Sequence, residues 1–293
     1  MPMLKLLIGC LGISGLIYLA LCGWLWQRQR WLMYLPTLAI EATPDAVGLF
    51  YEEVWISVTS DQPGDQPGTL HGWWIPSEQP QSLTFLYLHG NAGNISTSFN
   101  LDRIRHLHAL GAAVLMVDYR GYGLSSSPFP NEARFYEDAQ AAYQFLHQQK
   151  GVDPRHLVLY GHSLGGAIAI QLASHRPQLA GLVVESSFTS MEAMATRSGY
   201  NRLFPVRWLL TQSFPSITRV QQLQVPVFYL HGLADLSVPA EMSQYLYEAT
   251  ASSRDLWLVP NADHNDIAIL AGDEFEQRLS QFLSDHVLVN QAG

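Results

Sequence analysis

The hydrophobic pattern of the chain changes in character after its first thirty residues. From Leu6 to Trp26, twenty-one successive residues carry no charged side chain. At about 1.5 Å of rise per residue, a helix of this length matches a hydrocarbon core of roughly 30 Å. We therefore expect one transmembrane anchor over residues 1–27, a linker over 28–50 and a single folded catalytic region over 51–293.

Beyond the linker, the pattern predicts an α/β fold. Residues 54–58 alternate as a half-buried strand does, and residues 70–75 supply an antiparallel partner across a turn rich in Asp, Pro and Gly, residues 61–68. Later apolar runs are continuous and alternate with helical stretches, which is typical of a mostly parallel, doubly wound sheet. These strands are predicted at 84–88, 113–117, 157–160, 182–184, 227–230 and 256–259, and the helices at 97–110, 132–149, 166–175, 240–249 and 273–285.

The longest stretch between two predicted strands, residues 187–224, contains several large apolar side chains, Phe204, Trp208 and Phe214 among them. One interpretation is a small cap that covers a site at the edge of the sheet. The other is that the same aromatic side chains pack into the core.

The apolar N-terminal run has a second interpretation, a cleaved secretory signal. Lys5 precedes the run, and Ala20–Cys22 is a poor but conceivable cleavage site. The run is longer than the apolar part of a typical signal, and Arg28 and Arg30 follow it directly. These features favour a retained single-pass anchor and leave the side of the membrane open.

The composition of the chain limits the classes of ligand and cofactor that we expect it to bind. The formal net charge is −9 and there is no cluster of Lys or Arg, which argues against a nucleic-acid partner. Both cysteines, Cys10 and Cys22, lie in the apolar run, so no cysteine remains to form a disulfide or metal site in the rest of the chain. His106 and His108 are two apart on a predicted helix and face different directions. We expect no metal and no cofactor.

The segment Gly-His-Ser-Leu-Gly at 161–165 carries the strongest chemical signal. It follows a strand-like apolar run and precedes a helix of small residues. Glycines two residues on either side of Ser163 permit the strained turn that raises a nucleophile above a sheet, and the helix that follows points amides at a developing oxyanion. We predict Ser163 as a nucleophile.

A serine hydroxyl needs a base, and the base needs an acid to orient it. Asp235 and His264 each follow a predicted strand, and the chain order Ser163, Asp235, His264 is the order expected of α/β-hydrolases. Asp263 and Asp266 are alternative acids. Residues so close in sequence to the base seldom point at its ring, so we expect these two to shape its loop.

The oxyanion needs two backbone donors. One is predicted to be the amide of Leu164, and the other to come from the loop at 89–94, with Asn91 as first candidate and Ala92 as second. A glycine-rich loop after a strand can also hold phosphate, but this one lacks the Lys-Ser/Thr ending of a P-loop.

Taken together, these motifs resemble those of the α/β-hydrolase superfamily, and within it the membrane-anchored Bem46-like and ABHD-type branch. The resemblance covers the chain from Leu4 onward. It implies a Ser163, Asp235 and His264 triad, and an activity on lipid esters, acyl thioesters or peptides. The N-terminal cysteine cluster of depalmitoylating relatives is missing here. The matching segments are LHGNAGN at 88–94, DYRGYGLS at 118–125, GHSLGG at 161–166, ESSFTS at 185–190, HGLAD at 231–235 and, after the anchor, WLMYLPT at 31–37.

The sequence thus predicts a membrane-anchored serine hydrolase that cleaves small carboxylic esters or thioesters, lipid-like ones above all, beside a bilayer. Two alternatives share its features. A serine peptidase of the prolyl-oligopeptidase type would use the same turn and the same order of residues. A non-catalytic membrane scaffold would retain the fold alone.

Overall fold

A long N-terminal helix, α1 (Pro2–Met33), leads into the folded body of the protein. The computed structural model describes residues 2–288 except 61, 63, 65, 80 and 81. By length and composition α1 can cross a membrane: its most apolar 18-residue window has a mean hydropathy of 2.2 and is only 6% buried. The helix runs past residue 27 into the predicted linker. Met1 and residues 289–293 lie outside the described residues.

The described strands are β1 (Leu35–Pro36), β2 (Glu52–Val58), β3 (Gly68–Ile75), β4 (Thr84–Leu88), β5 (Ala92–Gly93), β6 (Ala113–Val117), β7 (Leu157–His162), β8 (Gly181–Glu185), β9 (Val227–Gly232) and β10 (Arg254–Val259). Eight of them form one mixed sheet in the order β10-β9-β8-β7-β4-β6-β3-β2, and β1 pairs with β5. The strand β3 is antiparallel to both of its neighbours, and the other pairs of the large sheet are parallel, which confirms the predicted sheet with its N-terminal hairpin. Asp61, Pro63 and Asp65 of the predicted hairpin turn lie outside the described residues.

Helices cover both faces of the sheet, as the continuous apolar strands require. Phe85 and Leu86 of β4 are both fully buried, yet they belong to two different core clusters, one on each face. After α1, the described helices are α2 (Ser98–Ala109), α3 (Glu132–Gln144), α4 (Leu164–Ser174), α5 (Met191–Arg197), α6 (Val206–Leu209), α7 (Ser216–Arg219), α8 (Glu241–Ala249), α9 (Ile267–Ala271) and α10 (Asp273–Phe282).

Two strands continue beyond their apolar runs. β7 extends through Gly161 and His162, and β9 extends through His231 and Gly232, where the hydrophobic pattern predicts strands that end at Tyr160 and Leu230. The reason is that the ladder continues: Gly161 pairs with β4, and His231 pairs with β10. Backbone pairing depends little on side-chain polarity, so hydrophobicity alone underestimates the lengths of these strands.

Residues 187–224, for which a cap is one interpretation, contain both buried and exposed aromatic side chains. Phe214 is fully buried in the core, whereas Trp208 is 86% exposed and Phe204 stacks on Tyr18 of α1. The helices α5, α6 and α7 lie in this stretch, which we call the cap segment (residues 187–224).

The strand order fixes where a ligand can bind. From β4 the chain proceeds to β6 on one side, then crosses to β7 on the other side. The carboxyl ends of β4 and β7 therefore flank a topological switch point, where open α/β sheets bind their ligands. The predicted oxyanion loop follows β4, and Ser163 follows β7.

Candidate active site

Ser163 occupies a strained turn between β7 and α4. Its φ of 54° and ψ of −116° lie in a region that non-glycine residues rarely adopt. The amide of Ser163 donates to the carbonyl of Glu185 at 2.8 Å. A Cβ on Gly165 would lie 1.9 Å from the Leu88 carbonyl oxygen, and one on Gly161 would lie 2.3 Å from the Gly165 carbonyl oxygen. Only glycines allow the turn to pack this closely against β4.

The structure brings the three predicted side chains into one hydrogen-bonded row. His264 Nδ1 lies 2.6 Å from Asp235 Oδ2, and His264 Nε2 lies 3.0 Å from Ser163 Oγ. Since a carboxylate can only accept, Nδ1 carries the proton and Nε2 is free to accept from the serine hydroxyl. In this arrangement, the His264 imidazole can remove the proton of the Ser163 hydroxyl.

Asp235 is held as a charged carboxylate. Burial by itself would raise its pKa, but hydrogen bonds from His231 and His264, with the Val238 amide, hold the pKa well below the ordinary value of an aspartate. The other carboxylate oxygen, Oδ1, accepts from the amides of Ser237 and Val238, both at 2.8 Å. The acid therefore stays ionised throughout the range in which a histidine base works.

His231 is a further contributor that sequence reasoning did not single out. Its Nε2 lies 2.8 Å from the Val238 carbonyl oxygen and 3.1 Å from Asp235 Oδ2, and its Nδ1 lies 2.7 Å from Ser243 Oγ. Both partners of Nε2 are acceptors, so Nε2 carries a proton that it shares between them. His231 thus donates to the same carboxylate oxygen that His264 contacts. A histidine at the end of β9, four residues before the predicted acid, was the only sequence signal for this contact.

Two buried side chains hold the loop that carries His264. His162 Nε2 donates to the His264 carbonyl at 2.9 Å, and Arg103 Nη2 donates to the Asn265 carbonyl at 3.1 Å. Arg103 is itself paired with Glu185 through two hydrogen bonds of 2.7 Å. Nothing in the sequence links α2 to a loop about 160 residues later, so these contacts were not predicted.

The alternative acids contact the backbone of the His264 loop. Asp263 Oδ1 accepts from the His264 amide at 2.7 Å, and Asp266 Oδ1 accepts from the Asp263 amide at 2.7 Å. These are the contacts of loop-shaping residues. Asp235 is the carboxylate that contacts the ring.

The predicted oxyanion residues line the same cavity as Ser163. Leu164 begins α4, where the first backbone amides have no partner within the helix. Asn91 and Ala92 lie in the loop after β4, and this loop is fastened to the chain after α1 in a way that the sequence did not predict. A short parallel pair joins β1 (Leu35–Pro36) to β5 (Ala92–Gly93), and Asn91 Nδ2 donates to the Met33 carbonyl at 2.6 Å.

The cavity above Ser163 has a volume of about 540 Å³. Its described lining has no Asp, Glu, Lys or Arg side chain, and apolar side chains such as Leu164, Phe188, Met191 and Val238 make up much of it. Among the residues that the structure describes, no group of three or more His, Cys, Asp or Glu side chains is placed to hold a metal ion. The cavity therefore suits an uncharged organic ligand.

Known proteins match both the sequence and the fold. A family model described as serine aminopeptidase, S33, matches residues 80–219. The protein bem46 of Schizosaccharomyces pombe is 30% identical in an alignment 292 positions long that covers 93% of each chain. The alpha/beta hydrolase domain-containing protein WAV2 of Arabidopsis thaliana is 30% identical in an alignment 279 positions long that covers 88% of each chain.

Among solved structures, the Pyrococcus furiosus esterase Pf2001 matches with a TM-score of 0.71. The match covers 86% of this chain and 99% of the esterase at 20% sequence identity, so it is a likeness of fold. The chain belongs to the α/β-hydrolase superfamily, as its motifs predicted.

The close packing at Gly165 leads to a stability prediction. We expect Gly165→Ala to lower the free energy of unfolding by about 1–3 kcal/mol, because the new Cβ would overlap the Leu88 carbonyl. Denaturant unfolding of the full chain measures this change. Gly181→Ala is the matched control, because the nearest atom to its Cβ would be a side-chain carbon of Val287 at 3.2 Å and not a backbone oxygen at 1.9 Å. Equal losses in the two variants would contradict the prediction.

Burial of His162 leads to a prediction about acid stability. Burial, with the positive charge of the neighbouring Arg103, lowers the pKa of His162 well below the ordinary value. The unfolded chain takes up a proton below about pH 6.5 that folded His162 does not. The free energy of unfolding should therefore fall with falling pH by about 1.4 kcal/mol per pH unit for this histidine.

We expect His162→Gln to reduce that slope by about one proton between roughly pH 6.5 and 5, since glutamine does not titrate. Denaturant titrations at a series of pH values measure the slope. The same substitution at the exposed His147 serves as the control. If His162→Gln leaves the slope unchanged, His162 is not held neutral in the folded protein.

Proposed function

We propose that the protein is a membrane-anchored serine hydrolase that cleaves carboxylic esters or thioesters of lipid-like acyl substrates. The observation that carries this proposal is the row of Ser163, His264 and Asp235, which opens into a cavity without fixed charge. Membership of the α/β-hydrolase superfamily supports it, as does the likeness of fold to an esterase.

In the proposed reaction, His264 Nε2 takes the proton of Ser163 Oγ as that oxygen bonds to the acyl carbonyl carbon. The Asp235 carboxylate stabilises the imidazolium that forms. The backbone amides of Leu164 and Asn91 donate to the oxyanion. The imidazolium then protonates the departing alkoxide or thiolate, and water repeats the sequence to release the free acid and Ser163.

The description of the matching family, serine aminopeptidase, is the observation in support of the peptidase alternative. An aminopeptidase must bind a free N-terminal ammonium, and desolvating that cation requires an opposing charge or several acceptors. No described residue that lines the cavity is acidic. An ester or thioester is uncharged at the reacting group and needs no such partner, so the cavity favours acyl esters.

Retention of α1 as an anchor is supported by its contacts with the folded body. Gln29 Nε2 donates to the Leu209 carbonyl, and Gln29 Oε1 accepts from the Thr211 amide, each at 2.9 Å. Trp24, Trp26 and Trp31 are exposed near the end of the apolar run, as an interfacial aromatic belt requires. Only 6% of the most apolar 18-residue window of α1 is buried, so most of that apolar surface faces outward.

The proposed nucleophile is tested by labelling. A fluorophosphonate probe should label the full-length protein and not Ser163→Ala, because the probe reacts with an activated serine. Asp235→Asn should lower kcat for p-nitrophenyl butyrate by on the order of 10⁴-fold, since the amide no longer fixes the tautomer of His264. Asp263→Asn, a change of the same chemistry beside the ring, should cost less than about tenfold.

The alternatives give different results in the same assays. Faster cleavage of aminoacyl or dipeptide amides than of p-nitrophenyl butyrate, judged by kcat/KM, would replace the esterase with a peptidase. Equal labelling of the parent protein and Ser163→Ala would remove Ser163 as the nucleophile. Failure of the folded parent protein to react with any ester, amide or probe would leave the scaffold alternative.

The proposed anchor is tested by membrane extraction. The full chain with a C-terminal tag should stay in the pellet after an alkaline carbonate wash, and its intact mass should include residues 1–27. A variant without residues 2–22 should move to the supernatant, because most of the apolar surface is gone. A mature protein that begins near Gly23 would identify the segment as a cleaved signal.

A further inference from the structure

A second cavity, with a volume of about 310 Å³, lies between the end of α1 and the cap segment. We call it the helix–cap cavity. Leu25 and Leu32 of α1 form part of its wall, and Phe204, Leu209 and Leu210 of the cap segment form another part. The proposed anchor therefore contributes directly to a concave, apolar surface of the folded body.

Gln29 is the polar residue of α1 that lines this cavity, and both polar atoms of its side chain have hydrogen-bond partners. Gln29 Nε2 donates to the carbonyls of Trp26 and Leu209, and Gln29 Oε1 accepts from the Thr211 amide. A hydrocarbon ligand would therefore leave no polar group of Gln29 without a partner. The cavity suits an alkyl chain better than a polar ligand.

The helix–cap cavity adjoins the cavity above Ser163. Met33, Met191 and Met194 line both of them, so methionine side chains form the partition. Methionine is unbranched and has three rotatable side-chain bonds, which lets it adapt to a ligand that passes between two spaces. A molecule with its carbonyl at Ser163 can thus extend its tail toward α1.

The cap segment reaches along α1 toward the proposed bilayer. Tyr18 OH donates to the Leu203 carbonyl at 3.0 Å, and the Tyr18 ring stacks on Phe204. Tyr18 lies eight residues before Trp26, or about 12 Å along the helix, within the uncharged run. Leu203 is 66% exposed at this depth, where an apolar surface would face lipid.

We propose that the helix–cap cavity binds the long hydrocarbon tail of the acyl substrate, which enters sideways from the bilayer between α1 and the cap segment. The substrate class is a lipid ester or thioester whose chain is long enough to pass the three methionines. This inference rests on the proposed hydrolase function and on a retained α1. It makes α1 one wall of the binding site as well as an anchor.

The test fills the helix–cap cavity from α5 and from the residue that follows it, without changing the cavity above Ser163. Ala195 and Ser198 line the helix–cap cavity and are absent from the described lining of the other cavity. Ala195→Phe and Ser198→Phe therefore each place a ring in the proposed tail site. Thr196→Phe adds the same ring on the exposed side of the same helix and is the matched control.

Tail binding is measured without catalysis. Palmitic acid that carries a diazirine near the end of its chain is crosslinked to the full-length Ser163→Ala protein in detergent micelles, and the labelled peptides are mapped by mass spectrometry. We expect label on the end of α1 and on residues 191–210. Ala195→Phe and Ser198→Phe, each added to Ser163→Ala, should reduce it at least tenfold, and Thr196→Phe by less than twofold. Unchanged labelling in both cavity variants would overturn the proposal.

Hydrolysis separates this proposal from the proposed function. In the active chain, the ratio of kcat/KM for p-nitrophenyl palmitate to that for the butyrate should fall at least tenfold in the two cavity variants. It should stay within twofold of the parent value in Thr196→Phe. If the parent chain cleaves the butyrate and the two cavity variants leave this ratio unchanged, the tail site is refuted and the proposed hydrolase function is not. A chain that binds palmitate as expected and cleaves no ester supports the tail site and refutes the hydrolase.

Discussion

The packing of the turn after β7 against the end of β4 is the constraint on which the candidate site depends. Gly161 pairs with Leu88 across the two strands, and the Leu88 carbonyl occupies the space that a side chain at Gly165 would need. The strained backbone of Ser163 is held in place by this contact. Because the loop at 89–94 follows Leu88 directly, the same contact sets the distance between Ser163 and the proposed oxyanion donors.

The position of His264 depends on buried polar groups drawn from distant parts of the chain. His162 and Arg103 hold the carbonyls of its loop, and Arg103 is neutralised by Glu185. Buried polar groups of this kind stabilise a geometry only when all of them are paired. Asp235 is also fully paired, since the amides of Ser237 and Val238 donate to Oδ1, and His231 and His264 both contact Oδ2.

The N-terminal helix is part of the folded body. The chain directly after α1 pairs with the loop at 89–94, and the last turns of α1 contact the cap segment. If α1 lies in a bilayer, the depth and tilt of the helix fix the height of the site above the lipid. In the proposed hydrolase, this height would set the depth at which lipid substrates reach the site.

The sequence by itself determined the sheet, the strained serine turn and the residues proposed for the row, because each of these has a local signature. Apolar runs bury strands on both faces, glycines around Ser163 permit a tight turn, and Asp235 and His264 stand just after strands. Only the tertiary structure decided that β1 pairs with β5 and that His231, His162 and Arg103 support the row. These contacts join residues that are far apart along the chain, or they depend on which atom of a side chain faces inward. The hydrophobic pattern cannot show such contacts, because it indicates whether a residue is buried or exposed and not which residue it touches.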